Sequence, residues 1–480
     1  MTAQVKVRSP KMFAFVLMLG GFMGLFSETA LNMALTNIMK DFHITAVLAQ
    51  WLTTGYLLTM ACLVPISVYL MKWFSTKTLI VSGVTLSLIG VLTAAVAPTF
   101  SILLLGRIIQ ALGTGILLPL MVTVLMLIFP IEKRGVIMGM MGLVMTAGPA
   151  LGPTIAGVII SSLSWHYIFW ISALLYIIIL FIAFIKVENV AKITKPKVDI
   201  FSIILSTISF SGIILGLNMM AEMSFAQMAV WGPLLIGIVS LALFVRRQFS
   251  ISSPMLNLRV FKYPMFNLGA AMVFLVILCI LGTGIILPIY IKGALFFSSI
   301  MAGLILLPGN AINLVLSPII GKLFDKLGAK LFGTLGFVIL FIAMLIFALT
   351  ISATTPIWVI ILTFIVMFIG VTMIMMPAQT NALNQLPKEL YPDGSATITT
   401  LIQVGGSAGT TIAITIYIIS MKSVSEGTTQ LSGPSLIAYG AEHTFWYLTV
   451  LTVIGLICSL FVKKNTSKND EKTAISIIFQ

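Results

Sequence analysis

Residues 13–35 read FAFVLMLGGFMGLFSETALNMAL. The run is apolar enough and long enough to cross a hydrocarbon layer of about 30 Å as a helix. Glu28 is its one charged residue. A carboxylate in such a segment costs about 3 kcal/mol on insertion scales, and chains keep one where it faces a cavity and handles protons, ions or a charged substrate. The stretch therefore predicts an all-α membrane fold and, inside it, a working position. It leads straight into further apolar runs, with no small-residue cleavage site after a short core, so it is not expected to be a removable leader.

The rest of the chain follows the same pattern. Of its 480 residues 59% are hydrophobic and 8% charged, with a mean hydropathy of +1.15. A soluble chain of this length could not hide that much apolar surface. About fourteen apolar spans follow one another, from one starting near Phe13 to one starting near Thr444. Alternating ten-residue strands are absent, which excludes a barrel. An even span number puts both termini on one side. With that side cytoplasmic, the cytoplasmic segments hold all 27 lysines and arginines except Lys40, Lys292, Lys422 and the in-span Arg107. The formal charge of +14 is then explained by loops facing anionic lipid headgroups, and no nucleic-acid partner is expected. Cys62, Cys279 and Cys458 lie in apolar spans without ligand spacing, so neither a disulfide framework nor a metal site is expected. His43, His166 and His443 fall at extracellular span ends and read as interfacial packing.

Two longer cytoplasmic links, Lys186–Asp199 and Arg246–Tyr263, bracket two helices and leave six spans on either side. The expected division is a six-helix bundle over 1–190, a linker with two extra transmembrane helices over 191–262, a second six-helix bundle over 263–464 and a cytoplasmic tail over 465–480. Gly427–Ala441 reads as a long flexible extracellular loop. PISVYLMKWFSTKTL after the second span is echoed by SPIIGKLFDKLGAKLFG after the tenth, which points to two parallel halves with a substrate site between them near mid-membrane.

Several short motifs carry chemistry. Arg107 is the only base inside a span and needs a partner or a wet cavity. It either neutralises Glu28 or orients carbonyls and waters that relay protons. Gly148-Pro149 and Gly152-Pro153, with Gly157, describe a bent helix whose glycines admit a close neighbour, a candidate seal or hinge. Asp325 sits among Lys322, Lys326 and Lys330 at a cytoplasmic turn, where it could cap a helix or hold a gate shut, with Gly321 and Gly328 permitting the turn. Asn32, Gln50, Tyr56, Gln110, Asn310, Asn313, Gln379, Asn381 and Gln403 are candidate substrate contacts, because polar groups in a bilayer should point inward. The 28 Met and 31 Phe suit a cavity that adapts to varied apolar shapes. GKL at Gly321–Leu323 lacks the rest of a phosphate-binding loop, and there is no zinc-binding helix motif or catalytic triad. The chain is therefore read as no enzyme, needing no cofactor and driven by an existing gradient.

SETALNMALTNIM (Ser27–Met39) resembles the first-helix signature of fourteen-helix drug/proton antiporters of the major facilitator superfamily, with Thr36 where the family usually has proline. LLLGRIIQALGTGILLPL (Leu103–Leu120), GLVMTAGPALGPTIAGVI (Gly142–Ile159) and GKLFDKLGAK (Gly321–Lys330) resemble the fourth-helix, fifth-helix and cytoplasmic-loop motifs. Lys72 stands where the first copy of the loop motif would carry aspartate, which shifts the expected gating role to Asp325. The whole chain is similar, in family order, to Gram-positive multidrug exporters of the lincomycin-resistance type. The resemblance implies a monomer in the bacterial cytoplasmic membrane that exchanges protons for amphipathic drugs by alternating access, in contact with membrane lipids. In that reading Glu28 carries the proton, Arg107 tunes it and Gly148–Gly157 helps close one side. A proton-coupled uptake carrier or a lipid flippase would share the fold.

Overall fold

A computed structural model describes residues 7–190, 193–195, 197–222, 227–251, 254–425 and 433–462. Helices dominate: α1 (Pro10–Ala30), the short α2 (Leu35–Asp41), α3 (Ala46–Trp73), α4 (Thr76–Ala95), α5 (Phe100–Ile128), α6 (Ile131–Ser162), α7 (His166–Lys186), α8 (Ile200–Glu222), α9 (Met228–Ser250), α10 (Pro264–Gly293), α11 (Ser299–Leu327), α12 (Ala329–Thr350), α13 (Ile357–Asn384), α14 (Tyr391–Ser425) and α15 (Pro434–Leu460). Among the described residues, 13 helical segments are long and apolar enough to cross a membrane. The remaining long helix, α6, carries the glycine-proline repeat and packs among them against α1 and α11.

Local chemistry fixes many of the ends. Thr45, Ser75, Thr99 and Ser298 each precede a helix and accept its third backbone N–H, which satisfies one of the orphan donors of the first turn. Gly328 closes α11 with φ +82°, a left-handed value that suits only glycine without strain. Gly321 does not serve that turn. It lies inside α11, where a Cβ would run into the carbonyl oxygen of Gly135, so its role is close packing against α6.

The first span begins at Pro10, within a few residues of its predicted start near Phe13, whereas two later helices begin ahead of their apolar runs. The last helix begins at Pro434, inside the segment read as a flexible loop, because proline suits a helix's first position. Residues 426–432 lie outside the described residues, as do 463–480. Helix α14 begins at Tyr391, and this places Asp393 in its first turn, where its side chain is 1% exposed.

Six helices (α1 and α3–α7) form one bundle and six (α10–α15) the other, with α8 and α9 packed as a hairpin outside them. The bundles meet crosswise. The second long helix of each, α3 or α11, packs on the fifth long helix of the other, α14 or α6. The two echoed sequences fall at equivalent turns, α3 to α4 and α11 to α12. Helix α8 lies against both α3 and α14 and so bridges the two bundles.

The face where α1 begins also carries the α3–α4, α5–α6, α11–α12 and α13–α14 turns, and most of the basic loops; we call it the basic face. There the bundles are tied together. Arg134, 4% exposed, donates to Asn384 Oδ1 at 2.6 Å and Tyr391 Oη at 3.0 Å in the other bundle, and to the carbonyls of Met126 and Phe129 in its own. The hydroxyls of Thr123 and Ser395 meet at 2.6 Å, and a Cβ on Gly139 would lie 2.5 Å from the Ser317 carbonyl. Towards the opposite face, α6 and α11 expose Leu151, Ile155, Val158, Met301, Leu304 and Leu307.

Candidate functional site

A cavity of about 510 Å³ opens between the bundles. Its lining includes Glu28 and Thr29 from α1, Met145 and Pro149 from α6, Asn310, Asn313 and Ser317 from α11, and Gln403 and Thr410 from α14. Met367, Met375, Met376, Phe364 and Phe368 supply much of the apolar wall. The volume falls in the range of drug-sized pockets, and a mostly apolar wall with a few polar groups is their usual composition.

Glu28 is not at mid-helix. Helix α1 stops at Ala30 and continues as one 3-10 turn, Leu31–Met33, before α2. The carboxylate therefore rides in the last turn, about 27 Å along the helix from Pro10, where the cavity reaches it. Its Oε2 is buried and has no hydrogen-bond partner in the protein.

Arg107 does not form the ion pair with Glu28 that would neutralise it. The guanidinium is fully buried within α5's bundle, donating from Nη1 to Ser27 Oγ at 3.1 Å and Gln110 Oε1 at 2.8 Å, and more weakly from Nε to the Leu52 carbonyl at 3.5 Å. It lies over the Tyr56 ring, 4.2 Å from the centroid. Gln110 Nε2 returns to Ser27 Oγ at 2.8 Å, and the Tyr56 hydroxyl meets Thr114 Oγ1 at 2.8 Å and donates to the Gly24 carbonyl at 3.1 Å. Ser27, the residue next to Glu28, is thus the physical link between the acid's helix and the arginine. A buried guanidinium without a carboxylate is held by neutral acceptors and a ring face, an arrangement worth about 2 kcal/mol for the cation–π contact when desolvated. One nitrogen, Nη2, remains unpartnered in the protein.

The glycine-proline segment of α6 is placed against α1, within the same bundle. A Cβ at Gly148 would approach Leu25 Cβ to 2.8 Å, and one at Gly152 would strike Thr29 Oγ1 and come 3.0 Å from the Phe26 carbonyl. Leu25, Phe26 and Thr29 surround Glu28 in sequence, so these glycines seat the turn that carries the acid. Pro149 faces the cavity, and among the described residues only Met33 comes near a Cβ at Gly157, at 3.8 Å. The inter-bundle contacts of α6 lie nearer its other end, at Gly135 and Gly139 against α11 and at Gly142 against Met376 of α13. The side chains of Pro153 and Asp325 lie outside the described residues.

The nine candidate substrate contacts separate into groups. Asn310, Asn313 and Gln403 line the cavity. Tyr56 and Gln110 belong to the Arg107 network instead. Asn32, bonded through Oδ1 to Thr53 at 2.9 Å, and Gln50 are exposed towards the opposite face. Gln379 and Asn381 are buried in α13 away from the cavity lining. Within the cavity, the Asn313 amide oxygen lies 2.6 Å from Thr372 Oγ1 and 3.3 Å from Ser317 Oγ, while its Nδ2 has no protein partner.

Sequence reasoning missed Asp393. Its Oδ1 accepts Lys72 Nζ at 3.3 Å and the Asn257 backbone N–H at 2.7 Å. The available signal was an acid in YPDGS directly before an apolar run, a pattern that also reads as a plain loop.

Comparison with known proteins agrees with this geometry. The family model described as Major Facilitator Superfamily matches residues 17–410. The chain is 46% identical over 467 residues to the lincomycin resistance protein LmrB of Listeria monocytogenes, covering 96% of this chain and 98% of that one. It is likewise 46% identical over 454 residues to LmrB of Bacillus subtilis, covering 93% and 95%. Among solved structures, the proton:xylose symporter XylE superposes with a TM-score of 0.63 at 15% identity, over 95% of this chain and 96% of that one, a likeness of fold alone. With its paired six-helix bundles, crosswise contacts and near-complete coverage, the chain belongs to the Major Facilitator Superfamily of membrane transporters.

Proposed function

We propose that this protein is a drug/proton antiporter that exports amphipathic compounds, the lincosamide class among them, by alternating access. The observation that carries the reading is Glu28: a carboxylate on the cavity wall with one oxygen free of any protein partner. A proton acceptor must be reachable from water in one state and must not be locked in a permanent ion pair. Glu28 meets the second condition because no ion pair ties it to Arg107, which bonds to Ser27 and Gln110 through Nη1 and lies over Tyr56. Arg107 then acts at one remove, as a fixed positive charge whose position follows Ser27. The names of the two relatives support drug export as the direction of use.

In this reading the basic face is cytoplasmic, both termini lie on that side, and the bundles of 1–190 and 263–464 work as rigid halves around the linker of 191–262. The ties at Arg134, Thr123–Ser395 and Gly139–Ser317 then hold the cytoplasmic side shut, and the cavity belongs to an outward-open state. Protonation of Glu28 from outside would discharge the wall and release a cationic drug, and deprotonation inside would restore it. The working unit is a monomer in contact with lipid.

The test is Glu28→Gln in proteoliposomes carrying a pH gradient. Lincomycin-driven proton movement is expected to fall at least about a hundredfold while the variant remains helical and monodisperse. Parent-level coupled exchange in that variant would refute the assignment.

A further inference from the structure

The hairpin α8–α9 is the part of the molecule for which the transport reading has no use, and its base carries a chain of hydrogen bonds on the basic face. The chain leaving α7 fastens to α3: the backbone N–H groups of Thr194 and Lys195 both donate to the Lys72 carbonyl, at 3.0 and 3.2 Å, and that of Asp199 donates to Tyr69 Oη at 3.2 Å. Asp199 then takes a two-pronged bond from Arg247 of α9, at 2.6 and 2.9 Å, and one from Ser202 of α8 at 2.5 Å. Gln248 of α9 donates to Ser202 Oγ at 2.7 Å, and its Oε1 accepts the Leu256 N–H at 3.3 Å. The next residue, Asn257, donates its N–H to Asp393 on α14 at 2.7 Å. Asp393 accepts Lys72 Nζ as well, and the circuit returns to its starting residue.

The circuit crosses both bundles and the hairpin. Beneath it lies an apolar cluster built from the same parts: Val64, Val68 and Tyr69 of α3, Leu205 of α8, Phe244 of α9, and Ala396 of α14, closed by Met255, Leu256 and Leu258 of the second link. Lys72 of the first bundle and Asn257 of the second link meet at one atom, Asp393 Oδ1, while Oδ2 is buried without a partner. A buried carboxylate whose compensation comes from elements on the far side of an interface makes that interface costly to open.

We infer that the α8–α9 hairpin is a third component of the basic-face gate: its second link and Lys72 together clasp Asp393, and the two bundles separate at this face only when Asp393 is released. Lys72 and Asp393 are positioning residues in this role, since neither touches the cavity. The inference rests on the transporter fold and not on which compound is carried or on proton coupling.

The experiment uses the full chain with Cys62, Cys279 and Cys458 replaced by serine or alanine and a reporter, Thr399→Cys, on the cavity wall of α14. Vesicles presenting the basic face outward are treated with a membrane-impermeant maleimide, and the labelling rate reads how often that face opens. Lys72→Met and Asp393→Asn are each expected to raise the rate about tenfold, Lys72→Arg to leave it near the parent's, and Arg247→Met to raise it by a smaller factor, about threefold. Lys72 is partly exposed, so its variants will fold even where a change at buried Asp393 does not. Parent-rate labelling in Lys72→Met would overturn the clasp. Parent-rate labelling in Arg247→Met, with Lys72→Met raised, would overturn the hairpin's part in it. The Glu28→Gln proton assay is independent of these readouts, so either idea can fail alone.

Discussion

The two bundles present different chemistry to the cavity they share. The first contributes the charge: Glu28 on the wall, with Arg107 buried behind it among Ser27, Gln110, Tyr56 and Thr114. The second contributes neutral polar groups set in methionine and phenylalanine: Asn310, Asn313, Ser317, Thr372, Gln403 and Thr410. A fold of two similar halves has become asymmetric where it works. Charge is concentrated on one side, where a network of fixed neutral acceptors can hold it, and the other side stays adaptable. The difference suggests a division of labour in which one bundle handles the proton and the other shapes what fits.

The sharpest way to break that comparison is at Arg107. Arg107→Met removes three hydrogen bonds and the stack on Tyr56, and leaves Glu28 without a nearby positive charge; a loss of about 2–4 kcal/mol of stability is expected, together with abolished proton-coupled export. Arg107→Lys should retain the fold but lose roughly tenfold in coupled transport, because one ammonium cannot span Ser27 and Gln110 while stacking on the ring. Thermal unfolding and proteoliposome flux would check both. Parent-level transport in Arg107→Lys would mean that only the charge matters, not its geometry, and an equal loss in the two variants would mean that charge without the guanidinium geometry achieves nothing.

The next effect in size tests whether α6 belongs to Glu28's support. Gly148→Val forces side-chain atoms against Leu25 and the backbone of Phe26, and overpacking of this kind costs about 1–3 kcal/mol. Transport should fall with it, and the loss should be larger than for Gly157→Val, whose surroundings are open. The reverse order would assign the segment a role remote from α1.

On the neutral side, Asn313→Ala is expected to leave proton binding intact and change apparent drug affinity by about 3- to 20-fold, with the sign depending on whether the drug offers an acceptor to the amide. A panel of amphipathic substrates would read this as re-ranking. A uniform fall across the panel would instead mark Asn313 as structural, through its contacts to Thr372 and Ser317.

The smallest effect lies outside the membrane. Hydrogen bonds from Arg247 hold the Asp199 carboxyl at about 2, below its ordinary 3.8. A depressed carboxyl stabilises the folded link fully above its unfolded value and loses that contribution as the pH falls through the folded one. Limited proteolysis of the link in detergent should therefore be unchanged down to about pH 4 and rise between about pH 4 and pH 2. In Arg247→Met cleavage should already be raised at neutral pH and most of the rise between about pH 4 and pH 2 should disappear, because the folded carboxyl then titrates close to its unfolded value.

Much of the fold was legible in the sequence because its causes are local. Apolar run length marks the spans, Gly328 marks a turn, and the distribution of lysine and arginine marks a common face. Glu28 and Arg107 were legible for the same reason, since an ion in an apolar span stands out without any neighbour in view. The polar candidates were harder, as Tyr56 and Gln110 show. From the sequence they look like Asn313, polar groups that should face inward, and yet they complete the arginine's coordination within a bundle.

Sequence alone determined that this chain is a bundle of membrane helices with one acid and one base set into its spans, because hydrophobic length and isolated charge are properties of single segments. Only the tertiary structure decided that the two do not pair, that the α6 glycines seat α1, that Asp393 is buried against Lys72, and that the extra hairpin is tied into the basic face. Those outcomes depend on how rigid helices dock between segments 80 to 321 residues apart in the chain, and the docking is set by the fit of whole surfaces rather than by any local run of residues.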